Sequence, residues 1–159
     1  MRWKMPAGVM LAVALLIPAA PAMAQSGTTK TAAPTCQTVA YVDIRTLIPA
    51  DLDAATDTQV RIASAQILSA ATTEALTYLP GRIQQALDGT SVDLRAFLKT
   101  RVQSVWMTDL RIAANQALAK GGPNVQTAAQ TALDTDTADG FLAFFNHELY
   151  RARARDCAL

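Results

Sequence analysis

Histidine occurs once and cysteine twice among 159 residues, and aromatic side chains make up only 6%. His147, Cys36 and Cys157 fall short of the four ligands that a closed zinc site needs, so no metal is expected. His147 sits beside Glu148, yet no nucleophile elbow or paired motif accompanies it, and it reads as a surface residue rather than a general acid or base. Neither a phosphate-binding glycine loop nor a dinucleotide fingerprint occurs, so no cofactor is expected. A basic excess is also lacking. The formal net charge is +1, and it falls to about −1 once Arg2 and Lys4 leave with a cleaved leader. That argues against nucleic acid as a partner, because phosphate binding needs a clear cationic surplus. Finally, no apolar run reaches the roughly 20 residues that cross a bilayer as a helix.

What is present begins with a leader. Arg2 and Lys4 are followed by an apolar run from Val9 to Ile17, then by a proline- and alanine-rich stretch ending in Ala22-Met23-Ala24. This is the three-part pattern of a secretory signal peptide over residues 1–24, cleaved to leave Gln25 first. Cys36 lies well past the cleavage site, so a lipid anchor is not expected. The expectation is a secreted protein, extracellular or periplasmic, with no transmembrane segment after cleavage. Residues 25–35 are small and polar with no apolar period, and read as a flexible leader to one helical domain at 36–159. Cys36 and Cys157 stand near the two ends of that domain. An oxidising destination lets them pair, closing a loop of roughly 120 residues.

Half the residues are hydrophobic, but many are alanine, and strand formers do not alternate. This is a helical composition. Leu94, Phe97, Leu98, Val102, Val105 and Trp106 fall three or four apart and predict a helix over 92–106 with Ser91 as its N-cap. A second helix is predicted at about 109–119. Gly121-Gly122-Pro123 ends it, glycine permitting a left-handed cap, and Pro123 starts a third helix with Val125, Ala128, Ala129, Ala132 and Leu133 inward. A last helix, about 137–153, buries Phe141, Phe144, Phe145 and Leu149. The fold class is all-α, with five to six short helices.

The chain is also self-similar. Val60-Arg61-Ile62-Ala63 aligns with Leu110-Arg111-Ile112-Ala113, and Ala86-Leu87-Asp88 with Ala132-Leu133-Asp134. Asp93-Leu94 aligns with Asp139 and Phe141 if one glycine is inserted, and Pro80 with Pro123 after an extra helical turn at 72–79. A period of about 46–50 residues suits stacked helical units. The run Ala86-Leu87-Asp88-Gly89-Thr90, Asp93-Leu94-Arg95-Ala96-Phe97-Leu98, Arg111-Ile112 and Gly121-Gly122-Pro123-Asn124-Val125 resembles the ALF repeats. These alanine-, leucine- and phenylalanine-rich short repeats are known chiefly from secreted actinobacterial proteins. One clear copy is expected at 86–133, with degenerate copies at 57–85 and 134–156, while residues 36–56 lie outside the pattern. The resemblance implies a helical fold and export, and carries no biochemical activity with it.

Two further clusters invite a site. Asp134, Asp136 and Asp139 with Gly140 resemble an acidic calcium loop, but the third acid and the glycine come one place late and Phe145 stands where a bidentate glutamate belongs. An inter-helix loop with capping acids and threonines accounts for them. Arg151, Arg153 and Arg155 read as a solvated helix end or as a patch for an anionic envelope partner. No catalytic residue is assigned. The expected function is a non-catalytic interaction or structural module for a protein or envelope component, and the alternative is a small extracellular hydrolase of cell-wall material.

Overall fold

The computed structural model describes residues 39–157, and the expected signal peptide and leader, with Cys36, lie outside them. Among the described residues the regular structure is all helical, without a strand. A short strap, residues 39–43, enters a 3-10 turn at Ile44–Leu47. Then come α1 (Asp57–Thr73), α2 (Leu79–Leu87), α3 (Ser91–Thr100), α4 (Val102–Lys120) and α5 (Pro123–Thr135). The last rod consists of α6 (Ala138–Ala143), a π-helical turn at Phe144–Glu148 and α7 (Leu149–Cys157).

Local chemistry sets these boundaries. Thr56 and Gln59 form a capping box at the start of α1, each side chain satisfying the other's backbone N–H. At its end, Leu76 N–H donates to the Ala71 carbonyl (2.9 Å) and Ala75 N–H to Thr72 (3.1 Å). This is the paired bonding of a Schellman motif, and it places Ala75 at φ 54°. The N-cap of α3 is Thr90, not Ser91: Thr90 and Asp93 make a second capping box and Ser91 is already helical. The predicted break near residue 107 is also displaced. The helix interrupts at Arg101 (φ −121°), and α4 then runs unbroken to Lys120. Nor does helix fill residues 72–79; after Thr73 the chain turns through Ala75 and resumes helix at Leu79.

Gly121 and Gly122 do end α4, by a different mechanism from the expected left-handed cap. Their φ angles are −82° and −72°, ordinary extended backbone. Glycine is required for space: a Cβ on Gly121 would lie 2.2 Å from Val125 Cγ1, and one on Gly122 2.6 Å from the Asp156 carboxylate. Left-handed backbone occurs instead at Ala75 and Asp136.

The core runs the length of the helices. Ile67 of α1, Ile83 of α2, Leu94 of α3, Trp106 and Leu110 of α4, and Phe141 and Phe144 of the last rod are all essentially inaccessible to water. Burying each of these large side chains contributes up to about 2–3 kcal/mol. α1 packs on α2 and α3, α4 lies against α5, and α5 against α7.

The stretch beginning at α3 recurs 47 residues later. Thr90 and Thr137 are both side-chain N-caps. Leu94 and Phe141, Leu98 and Phe145, and Val102 and Leu149 are buried at matching positions. The interruption at Arg101 coincides with the end of the π-turn at Glu148. No inserted glycine is needed, since this register sets Asp93 level with Gly140 rather than with Asp139.

Candidate functional site

Two buried arrangements organise the polar chemistry of the molecule. The first is a pair of borrowed helix caps. α2 and α5 both carry proline in their first turn, Pro80 second in α2 and Pro123 first in α5, and neither N-cap residue, Tyr78 or Gly122, supplies a side-chain bond. An aspartate from a later helix fills the gap. Asp109 of α4, 1% exposed, accepts from the backbone N–H groups of Thr77 (3.2 Å), Tyr78 (2.9 Å) and Leu79 (2.7 Å). Asp156 of α7 accepts from Asn124 N–H (2.9 Å) and Val125 N–H (3.1 Å). Burial pulls the Asp156 carboxyl up, but the bonds from Asn124 and Val125 outweigh it and hold the group below its ordinary range. Each carboxylate also sits at the positive end of the helix it caps. A matching contact joins the other helix ends: Arg61 donates to the Leu87 carbonyl (3.2 Å), and Arg111 grips the Asp136 carboxylate (2.6 and 3.0 Å).

The second arrangement is the strap and the cleft beneath it. Asn146, presented by the π-turn, accepts from Tyr41 N–H (2.7 Å) and donates to the Tyr41 carbonyl (2.9 Å). It thereby imitates a neighbouring strand. The Tyr41 ring stacks on Phe145 with centroids 4.1 Å apart, and Tyr150 Oη donates to the Val39 carbonyl (3.0 Å). Arg45 pairs with Asp43 (2.7 Å) and with Asp139. On the opposite side, Val42 N–H donates to Glu74 Oε1 at 2.6 Å.

Glu74 is 6% exposed, and its Oε2 has no partner. Burial is the cause that pushes its carboxyl up to about 7, with the bond from Val42 opposing. Burial likewise drives the Tyr41 hydroxyl up to about 12, aided by the nearby Glu74 and Tyr150 and opposed by Arg153. A cleft of about 380 Å³ separates the strap from α1, lined on one side by Ala40, Val42 and Leu47 and on the other by Gln66, Ser69, Ala70, Thr73 and Glu74. Glu74 is the sole ionisable group in that lining. The arrangement can hold or release one proton.

The residues singled out from sequence form no site of their own. His147 is exposed on the π-turn. Asp134, Asp136 and Asp139 do not converge: Asp134 takes a bond from Gln130, Asp136 faces Arg111 and Asp139 faces Arg45. Thr137 caps α6, as a loop of capping residues requires. Arg151, Arg153 and Arg155 are exposed, Arg151 pairing with Glu148. Cys157 ends α7 with an exposed thiol, and its expected partner lies outside the described residues.

Sequence reasoning missed Asp109, Asp156, Glu74 and Asn146. The first two had a readable signal. A proline-initiated helix preceded by Tyr78 or Gly122 has no capping oxygen of its own, so one must come from elsewhere. Glu74 and Asn146 had none, because their roles depend on where the strap lies.

No curated protein and no solved structure matches the chain. Residues 111–152 match the family model ALF, described as short repeats of unknown function. The match starts later than the copy expected at 86–133. A helical repeat has no intrinsic starting point, and any window of one period holds the same set of helices. The matched segment opens at Arg111, crosses Gly121-Gly122-Pro123 and closes at Ala152, so it is from the second half of α4 to the start of α7 that the chain is similar to the ALF short repeats.

Proposed function

We propose that this protein is exported, matures at Gln25 and serves as a non-catalytic helical-repeat module that binds a protein or cell-envelope component. The observation that carries this reading is the recurrence of one scaffold device: Asp109 and Asp156, set 47 residues apart, each reach back to cap a proline-initiated helix. Carboxylates so engaged tie helical units together, and stacked units of this kind present extended surfaces to partners. Export rests on the charge and apolar pattern of residues 1–24.

The hydrolase alternative has one supporting observation, the buried Glu74 beside a cleft, since a raised carboxyl suits a general acid. Glycoside hydrolysis takes two carboxyl groups about 5–9.5 Å apart across the scissile bond. The cleft lining holds one.

A Cys36–Cys157 bridge forms part of the proposal. The strap runs antiparallel to the last rod: Tyr41 meets Asn146, and Val39, two residues earlier, meets Tyr150, four residues later. The bridge rests on the oxidising compartment that export implies and on there being two cysteines to pair. In mature protein analysed without reductant, the expected mass is two hydrogens below that of the dithiol; free thiols at both positions would remove the bridge.

The functional test incubates mature protein with purified cell envelope and follows co-sedimentation and soluble fragments together. Saturable retention without fragment release is expected. Steady release of fragments, lost in Glu74→Gln, would replace the module reading with the hydrolase.

A further inference from the structure

We propose that the Glu74 side of the cleft between the strap and α1 is gated by pH: the Val42–Glu74 bond bridges it while Glu74 is protonated and parts when Glu74 ionises, the strap staying docked on the last rod. The geometry divides the strap into two unlike attachments. Towards the last rod it has two bonds from Asn146, one from Tyr150 and the stacked pair Tyr41–Phe145. All of these contacts are made by amide, hydroxyl and aromatic groups. Towards α1, Val42 has one side-chain bond, to Glu74.

That bond ends on a carboxyl whose other oxygen is buried without a partner. A neutral acid tolerates such a position. A carboxylate does not, because a buried charge lacking hydrogen-bond partners loses its hydration with little in return. Parting Val42 from Glu74 admits water to Oε2 by way of the cleft already present. Of the ionisable groups, Tyr41 on the strap lies near Glu74, and Tyr150 and Arg153 on α7 bear on Tyr41; on Glu74 itself the causes are burial and the bond from Val42. Tyr41, raised to about 12, stays neutral through the relevant range. Asp43, held below its ordinary value chiefly by its bond with Arg45, stays charged and keeps the far end of the strap fixed. Glu74 is therefore the group that changes, across a window from 4.5, its ordinary value, to about 7.

The test is native-state hydrogen exchange on the full mature chain, alongside the carbon-13 titration of the Glu74 carboxyl. The protection factor of Val42 N–H should fall on the order of 100-fold between pH 4.5 and 8.5. Its course should follow the Glu74 titration, with little dependence on denaturant, as a local opening requires. Tyr41 N–H, held by Asn146, should stay better protected than Val42 at every pH. In Glu74→Gln, which keeps the acceptor and loses the proton, Val42 protection should not vary with pH. Should that variant fail to fold, the wild-type titration decides alone. Val42 protection indifferent to Glu74 ionisation, Val42 and Tyr41 exchanging as one, or Glu74 titrating near 4.5 would each overturn the gate.

Discussion

Asp109 shows how much one side chain settles here. It is almost fully buried and takes hydrogen bonds from three successive backbone N–H groups at the start of α2. Pro80 next to them has no N–H to offer, so these donors are the ones the helix start must satisfy. Replacing Asp109 with alanine strands them in the interior and leaves a void. The expected loss is about 2–4 kcal/mol in urea unfolding, from unmet donors and a missing cap. Asp109→Asn keeps one acceptor oxygen and should lose less. Equal losses for the two would show that packing volume, not bonding, is what Asp109 contributes. Gly122 carries the complementary constraint at the second cap. A Cβ there meets the Asp156 carboxylate at 2.6 Å, so Gly122→Ala should push Asp156 off the start of α5 and lower the melting temperature. The φ of −72° makes alanine acceptable to the backbone itself, so the loss belongs to the displaced carboxylate, and an unchanged melting temperature would show that Asp156 caps α5 from another position.

Among the elements, those with their own periodic stripe and caps were legible. Leu94, Phe97 and Leu98 mark α3, and the run Gly121-Gly122-Pro123 places both the end of α4 and the start of α5. Boundaries set by backbone geometry were not. Neither the interruption at Arg101 nor the π-turn at 144–148 has a glycine or proline to announce it. Both lie inside continuous apolar stripes, where a sequence pattern reads straight through. The strap was illegible for a related reason: residues 39–43 have no period, and their place depends on Asn146 and Glu74, 105 and 32 residues away. α1 offers a test at this scale. Its Schellman turn puts Ala75 at φ 54°, a conformation costing a non-glycine residue about 1 kcal/mol. Ala75→Gly should stabilise the protein by about 0.5–1 kcal/mol, the relief of strain exceeding the added freedom of the unfolded chain. A destabilised variant would mean that the alanine methyl makes a packing contribution larger than the strain.

For the whole molecule, two sets of carboxyl groups set opposite responses to pH. Asp43, Asp57, Asp93 and Asp136 are held below the ordinary carboxyl value, chiefly by side-chain hydrogen bonds, and Asp51 by its bonds from Ala54 and Asp53 N–H. Their contribution is present above 3.8 and is lost as pH falls through their folded values. Glu74 works in reverse. Unfolded, it gives up its proton near 4.5; folded, it keeps it until about 7. The unfolded state therefore binds fewer protons across that window, and stability declines as pH rises from 4.5 to 7, by about 3 kcal/mol if the full shift is realised. The melting temperature should peak near pH 4–5 and fall towards neutrality, unlike a protein whose paired carboxylates alone titrate, which would hold its plateau to pH 7 or beyond. Glu74→Gln should flatten the neutral limb and leave the acid limb in place. A wild-type profile level from pH 4.5 to 7.5 would mean that water reaches Glu74 in the folded state, which would remove the buried acid from the account of stability and the gate along with it.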